Sequence, residues 1–452
     1  MTRNLKWSLC VGIAFLAAAG AYVWWQYFRD TWQPPSVVTI ESEEELASLF
    51  PAWLSWISDA EKGSPQVLLL REGDFILVGG EIPVRYLASD GPHLKVTYDE
   101  GTVNFGEMTV ALSLSKDEGR KWLTGATDGQ LAGLRLVFLP DEIDSEMLAG
   151  LQRIAAANPN VDLWAESEAA LGQALQYFKP RAVFAAEDDA SPLSMLANQP
   201  ELETLLMSAS IPGSLDFLPT LPKLHRLALG EWKVAEAGPL PEGISGLKSL
   251  VIAGGDIKDL SVLHAAPTGL QELALQGQQD LTNFAGLDKL TGLRTLVLAS
   301  DSKSPPLDLS SLSTLKKLRW AGLPQTINQE QFAAFVSTHP DLNFLELPKT
   351  ENTINLAPLR ELKGLQGLVL GGTYENLEVI QELTSLQFVG IWKDIWDKSP
   401  AQVAAIHKAL PDAMVVRVGT FCLGSGWILL LVPVLGFAWR RRVSLPLARQ
   451  AA

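Results

Sequence analysis

Five histidines (His93, His225, His264, His339, His407) and two cysteines (Cys10, Cys422) are all the imidazole and thiol ligands this 452-residue chain offers a metal. No two histidines stand at a metal-ligand spacing, so a zinc centre has no scaffold. Nucleophile-elbow, Walker, G-x-G-x-x-G and H-E-x-x-H motifs do not occur, which leaves hydrolase, nucleotide and dehydrogenase chemistry without a starting point. Two acidic runs, Asp141, Glu142, Asp144, Glu146 and Glu187, Asp188, Asp189, could offer oxygens to calcium. Neither has calcium-loop spacing, and solvated turns of an acidic protein look the same. The reading is therefore no enzyme, no cofactor and no metal. The side chains with most to offer are Trp320, Phe344, Phe388 and Trp392. Aromatics gathered on an exposed sheet are typical recognition hot spots, provided the fold places them on one face.

What would place them is a repeat, Leu-x-x-Leu-x-Leu. It is plainest at Leu224, Leu227, Leu229, at Leu270, Leu273, Leu275, at Leu293, Leu296, Leu298, at Leu342, Leu345, Leu347 and at Leu365, Leu368, Leu370. Looser copies start at 202, 247, 318 and 386, so nine starts are separated by 22, 23, 23, 23, 25, 24, 23 and 21 residues. Fainter units stand upstream at Leu134, Val137, Leu139, at Val161 with Trp164 and at Ala182 with Ala185, and downstream at Ala413, Val416, Val418, giving about 13 units. Leucines at a spacing of three lie between the strands, as in Leu356, Leu359, Leu362, and suit a short 3-10 segment on the opposite side of each turn. No single turn can bury its own leucines, whereas stacked turns bury them all.

This pattern resembles bacterial leucine-rich-repeat proteins with units of 22 to 23 residues and is similar to internalin-type arrays, over roughly residues 130 to 416. The resemblance implies an α/β solenoid, with a parallel β-sheet on the concave face, short helical or 3-10 segments on the convex face, and a protein partner. It also implies an asparagine ladder eight residues after each first leucine. Here those positions hold Ser210, Trp232, Gly255, Gln278, Asp301, Thr326, Thr350, Thr373 and Asp394, so the ladder is missing or patchy. Fuller helices are expected at 144–157, 328–339 and 401–410, each stopped by a proline at 159, 340 or 411.

Within each strand the x positions alternate outward and line up as columns. The fifth-position column is mostly small and apolar, with Val251, Val297 and Val369 in it, and the third-position column carries Trp320, Phe344 and Phe388. With nearby Trp392, these seven residues are the expected partner-binding surface. The alternative is that the rings pack on neighbouring side chains or under a loop or the N-terminal module.

Residues 31–126 lack the period and read as a small α+β domain. A capping box at Ser42 to Glu45 opens a helix, and strands follow near 66–70, 74–78, 94–98 and 109–114. This domain is expected to cover the open N-terminal edge of the solenoid at 127–416.

Two uncharged stretches of 22 residues, 7–28 and 418–439, bracket the rest, each long enough to cross a bilayer as a helix. An aromatic belt from Tyr22 to Trp32 favours an uncleaved anchor at 1–30 over a removed signal peptide. The second span, within 417–440, reads as a transmembrane helix, with a trimmed sorting segment as the alternative, and 441–452 is a basic tail. Arg3 and Lys6 at one end, and Arg440, Arg441, Arg442 and Arg449 at the other, put both termini in the cytoplasm and the middle outside it, periplasmic or at the cell surface. Residues 31–416 hold 28 Lys plus Arg against 50 Asp plus Glu, a net charge of −22 that repels nucleic acid. The expected function is a membrane-anchored, exported protein that mediates protein–protein interaction at the cell envelope. The alternatives are a structural scaffold without a specific partner, or a ligand-sensing or enzymatic N-terminal module carried on the repeats.

Overall fold

The computed structural model describes residues 108–418, apart from 166, 186–192, 198, 208–213, 279, 300–306, 351–352 and 412, together with six short strands ahead of them. Those six are β1 (Ser36–Val37), β2 (Gln66–Leu69), β3 (Asp74–Val78), β4 (Val84–Arg85), β5 (Val96–Asp99) and β6 (Thr102–Phe105). The helix expected from Ser42 and both apolar spans lie outside the described residues, as do Glu187 to Asp189. Among the described residues no helix is long and apolar enough to cross a membrane.

Each repeat contributes one strand to a single sheet. After β7 (Met108–Ser113) come β8 (Leu136–Phe138), β9 (Asp162–Ala165), β10 (Ala182–Ala185), β11 (Thr204–Met207), β12 (Arg226–Trp232) and β13 (Ser249–Gly255). These are followed by β14 (Glu272–Gln276), β15 (Thr295–Ala299), β16 (Trp320–Gly322) and β17 (Phe344–Leu347). Last come β19 (Gly367–Leu370), β21 (Phe388–Trp392) and β22 (Met414–Val418), while β18 (Ile354–Asn355) and β20 (Tyr374–Glu375) pair apart from the main sheet. The main sheet has 16 strands running in order from β22 to β5. From β7 to β22 every pairing is parallel, and 13 of these strands, β8 to β22, carry repeat units. The fold is a leucine-rich-repeat type of α/β solenoid.

The strand register shows why the spacing of leucines matters. Leu205 pairs with Leu227, and the row continues through Leu250, Leu273, Leu296, Ala321, Leu345, Leu368 and Val389 to Val415. All of these are buried in one core that runs the length of the array. The spaced leucines meet them from the convex side on 3-10 turns such as Leu309–Thr314 and Ala357–Glu361. Burial of each leucine contributes about 2–3 kcal/mol, and it comes from the turns on either side.

Longer units carry true helices: α3 (Ser145–Ala157), α6 (Gln329–Thr338) and α8 (Pro400–Ala409), numbered after α1 (Asp117–Gly125) and α2 (Asp128–Gly133) and with α4 (Glu168–Ala174), α5 (Val234–Ala237) and α7 (Lys393–Lys398) between. Their bounds agree with the sequence reading. Asp144 caps α3 through Met147 N–H at 2.8 Å, and Asn328 with Gln331 forms a capping box on α6. His339 ends α6 buried, with Nδ1 2.9 Å from Phe335 O and Nε2 3.1 Å from Leu312 O, so its ring ties the helix to the preceding turn.

The patchy ladder resolves into substitutes. Gln278 Nε2 donates to Gly254 O at 2.7 Å and Ile252 O at 3.3 Å, one repeat back. Tyr374 donates from its hydroxyl to Leu347 O at 2.9 Å. Trp232 fills its position with an indole that donates to Gly238 O at 3.2 Å. Gly255 closes β13 with φ 103°, where a Cβ would stand 2.1 Å from Trp232 O, so no other residue fits.

Three flanking units needed a different register. Leu163, not Trp164, pairs with Val137, Val183, not Ala185, pairs with Leu163, and Val415, not Val416, pairs with Val389. The strands Asp162–Ala165 and Ala182–Ala185 are buried at every position, so no inside-outside alternation marks their phase.

Replacing Leu250 with Ala is expected to lower stability by about 2–5 kcal/mol, read as a drop in the urea midpoint. A loss within the roughly 0.5 kcal/mol of a surface substitution would mean that the turns do not depend on this stack.

Candidate functional site

Two columns of side chains stand on the concave face. The third-position column reads Leu136, Asp162, Ala182, Thr204, Arg226, Ser249, Glu272, Thr295, Trp320, Phe344, Gly367 and Phe388 along the register. It is polar from Thr204 to Thr295, with Asp162 two strands before, and from Trp320 onward it is aromatic except at Gly367. The fifth-position column runs Phe138, Trp164, Phe184, Leu206, Ala228, Val251, Ala274, Val297, Gly322, Glu346, Val369 and Gly390. Its first rings stand on the strands of Leu136, Asp162 and Ala182, and its middle is small.

Stacking follows from the spacing of parallel strands, because in-register neighbours stand about 4.8 Å apart, close to the separation rings prefer. Trp320 and Phe344 have centroids 4.0 Å apart, and Phe344 and Phe388 6.2 Å. At the other end Phe138 and Trp164 lie at 5.6 Å, and Trp164 and Phe184 at 5.4 Å. The second stack was hidden from the sequence reading by the register slip at Trp164. Gly367 interrupts the first stack by necessity, since a Cβ there would meet Phe344 Cδ2 at 2.1 Å.

The seven residues expected to form an open binding surface do share this face, but the face is not open. Trp320, Phe344, Phe388, Val251, Val297 and Val369 each keep at most 3% of their surface, and only Trp392 is partly exposed. Alternation along a strand decides which face a side chain stands on, and says nothing of what is laid over that face. Arg226 and Glu272 are buried with them. The hydroxyls of Thr204, Ser249 and Thr295 and the indole N–H of Trp164 are buried without a hydrogen-bond partner.

Asp162 carries the strongest electrostatic signature. Burial pushes its carboxyl up to about 8, against the lowering effect of the Ala182 N–H donated to Oδ1 at 2.9 Å and of Arg181 and Arg135, with Glu203 adding to the rise. At neutral pH the group is therefore largely protonated. Outside the face, side chains one repeat apart pair on the surface: Arg181 with Glu203 and Arg360 with Glu382, both two-pronged, and Lys223 with Glu201 at 2.6 Å. Such exposed pairs are screened by solvent and contribute little to stability.

Among the described residues no group of three His, Cys, Asp or Glu is placed to hold a metal ion. Asp144 of the first acidic run is engaged in capping α3. A cavity of about 450 Å³ lined by Asp216, Glu236, Glu242 and His264 opens among the loops beside β12 and β13.

No protein-family model matches the chain, and no curated protein does. Among solved structures it is similar to an internalin of Listeria monocytogenes, at 17% identity over 67% of this chain and 88% of that one, with a TM-score of 0.36. Internalin C2 of the same organism aligns at 21% identity over 50% and 84%, with a TM-score of 0.30. A leucine-rich-repeat protein of Leptospira interrogans aligns at 17% over 64% and 91%, with a TM-score of 0.31.

Asp162 makes stability depend on pH in a defined direction. Below about pH 4 the carboxyl is protonated in both folded and unfolded chains. As pH rises, the unfolded chain releases the proton while the folded chain keeps it, so stability falls until about pH 8. Asp162→Asn is expected to match the wild-type Tm at pH 4 and exceed it at pH 8, measured by thermal scans. A variant that melts below wild type at pH 8 would show that the native carboxyl is ionised and paired.

Proposed function

We propose that this chain is a membrane-anchored, exported repeat protein that recognises a protein partner through the concave face of its solenoid. The observation that carries this reading is the pair of columns, held in register across the array and graded from polar to aromatic. Buried in this structure except at Trp392, such a face would present extended van der Waals area and a row of hydrogen-bonding groups once accessible, which suits a polypeptide better than a small molecule needing a closed pocket. Anchoring is supported by the two 22-residue uncharged stretches and the cations outside them, and the net −22 of residues 31–416 argues against nucleic acid as the ligand.

A photo-crosslinking residue at Trp392, the partly exposed member of the face, is expected to trap a discrete protein in intact cells. The same residue at Glu378, exposed on a convex 3-10 turn, serves as the control. Identical adducts from both positions, or none from Trp392, would favour a spacer or scaffold role.

For the topology, intact cells carrying an epitope tag at each terminus are treated with external protease. Both tags are expected to survive while the array is cut, and digestion of either tag would overturn the orientation.

A further inference from the structure

Indole rings favour the zone between hydrocarbon and water, where the ring is buried and its N–H stays wet. In the array Trp164, Trp232 and Trp320 keep at most 3% of their surface, whereas Trp396, on α7 in the last unit, stays partly exposed. Its ring meets His407 of α8 edge-on, with centroids 6.0 Å apart, and Lys398, His407 and Lys408 on the same two helices are exposed. The charge changes here as well. Residues 31–391 hold 25 Lys plus Arg against 47 Asp plus Glu, a net −22, while residues 392–418 hold four against three, a net +1. An anionic headgroup layer repels the first region and not the second.

The strand register puts this turn where the chain would meet a bilayer. Val418 is both the last residue of β22 and the first of the uncharged stretch 418–439. At about 1.5 Å per residue the 22 residues of that stretch reach about 33 Å as a helix, little more than the ~30 Å of hydrocarbon, so no linker is left over. Trp392 pairs with Val418 one strand spacing away, about 4.8 Å, and α7 starts at the next residue and packs against both β21 and β22. A helix is about 10 Å across, whereas the headgroup layer on each side of a bilayer is about 5–7 Å deep. A helix that begins at that level and touches β22 therefore lies at least partly in the layer.

We propose that the last turn of the solenoid docks on the membrane surface through α7, with Trp396 as its interfacial anchor and Lys398, His407 and Lys408 at the headgroups. The occupant is the headgroup layer of the bilayer that 418–439 enters, and the proposal rests on the reading of that stretch as a membrane span. A single span would leave the array free to swivel. Held at both β22 and α7, the array keeps one tilt, and a partner that meets Trp392 does so beside the bilayer.

The test uses the full chain inserted in vesicles of phosphatidylcholine and phosphatidylglycerol, with Cys10 and Cys422 replaced by Ser and a fluorescent label on Lys398→Cys, an exposed position of α7. Lipid spin-labelled next to its headgroup is expected to quench that label and to leave bright a label on Ser261→Cys, exposed on the 3-10 turn Leu260–Leu263 in mid-array. Equal quenching at the two positions would overturn the docking. Adding Trp396→Gln is expected to lower the quenching at 398, and an unchanged value would remove Trp396 as the anchor. A chain keeping Cys422 as its sole, labelled cysteine separates the two readings. Quenching there without quenching at 398 overturns the docking and leaves the span, whereas none at Cys422 overturns the span and the docking together.

Discussion

Everything in this molecule depends on leucines that are buried only by the turns above and below their own. The row from Leu205 to Val415 is continuous, and the strand hydrogen bonds, the 3-10 turns and the capped helices all hold that row in register. Stability in such an array is local, a sum of unit and interface contributions, so a fault in one turn is felt first by its neighbours. The ends are the exception, having a neighbour on one side only. At the N-terminal end the chain meets that difficulty with the antiparallel strands β5 to β7, which extend the sheet beyond the first repeat.

The same geometry that stacks leucines inside stacks other side chains outside. Any residue type repeated at the third or fifth position becomes a column, because parallel strands repeat their register without shift. Aromatic rings at those positions become ring stacks, as at Phe138, Trp164, Phe184 and again at Trp320, Phe344, Phe388. Polar residues become rows that must find partners or do without, as Thr204, Ser249 and Thr295 do.

Much of the fold was legible because leucine spacing encodes register directly. Nine central units and three helices stand where the pattern places them. The flanking units were misphased, since Asp162–Ala165 and Ala182–Ala185 are buried at every position and Val415 and Val416 are adjacent valines. The strands Ser36–Val37, Val84–Arg85 and Thr102–Phe105 are too short or too polar to have stood out. The face occupied by Trp320, Phe344 and Phe388 was legible too, and its burial was not. Periodicity reports which way a side chain stands, whereas its burial depends on what lies over that face. Asp162 was invisible for a related reason, since an aspartate in a short apolar strand looks like a turn residue until its surroundings are known.

The change in the third-position column, from hydroxyls and charges to rings, falls between Thr295 and Trp320, where the spacing between starts reaches 25 residues. Because each turn needs only a neighbour in register, such a chain can lengthen or shorten by whole turns through duplication or loss of one coding unit. The two halves of the face could then be inherited and altered separately, and the reach of the surface would change in discrete steps of one strand.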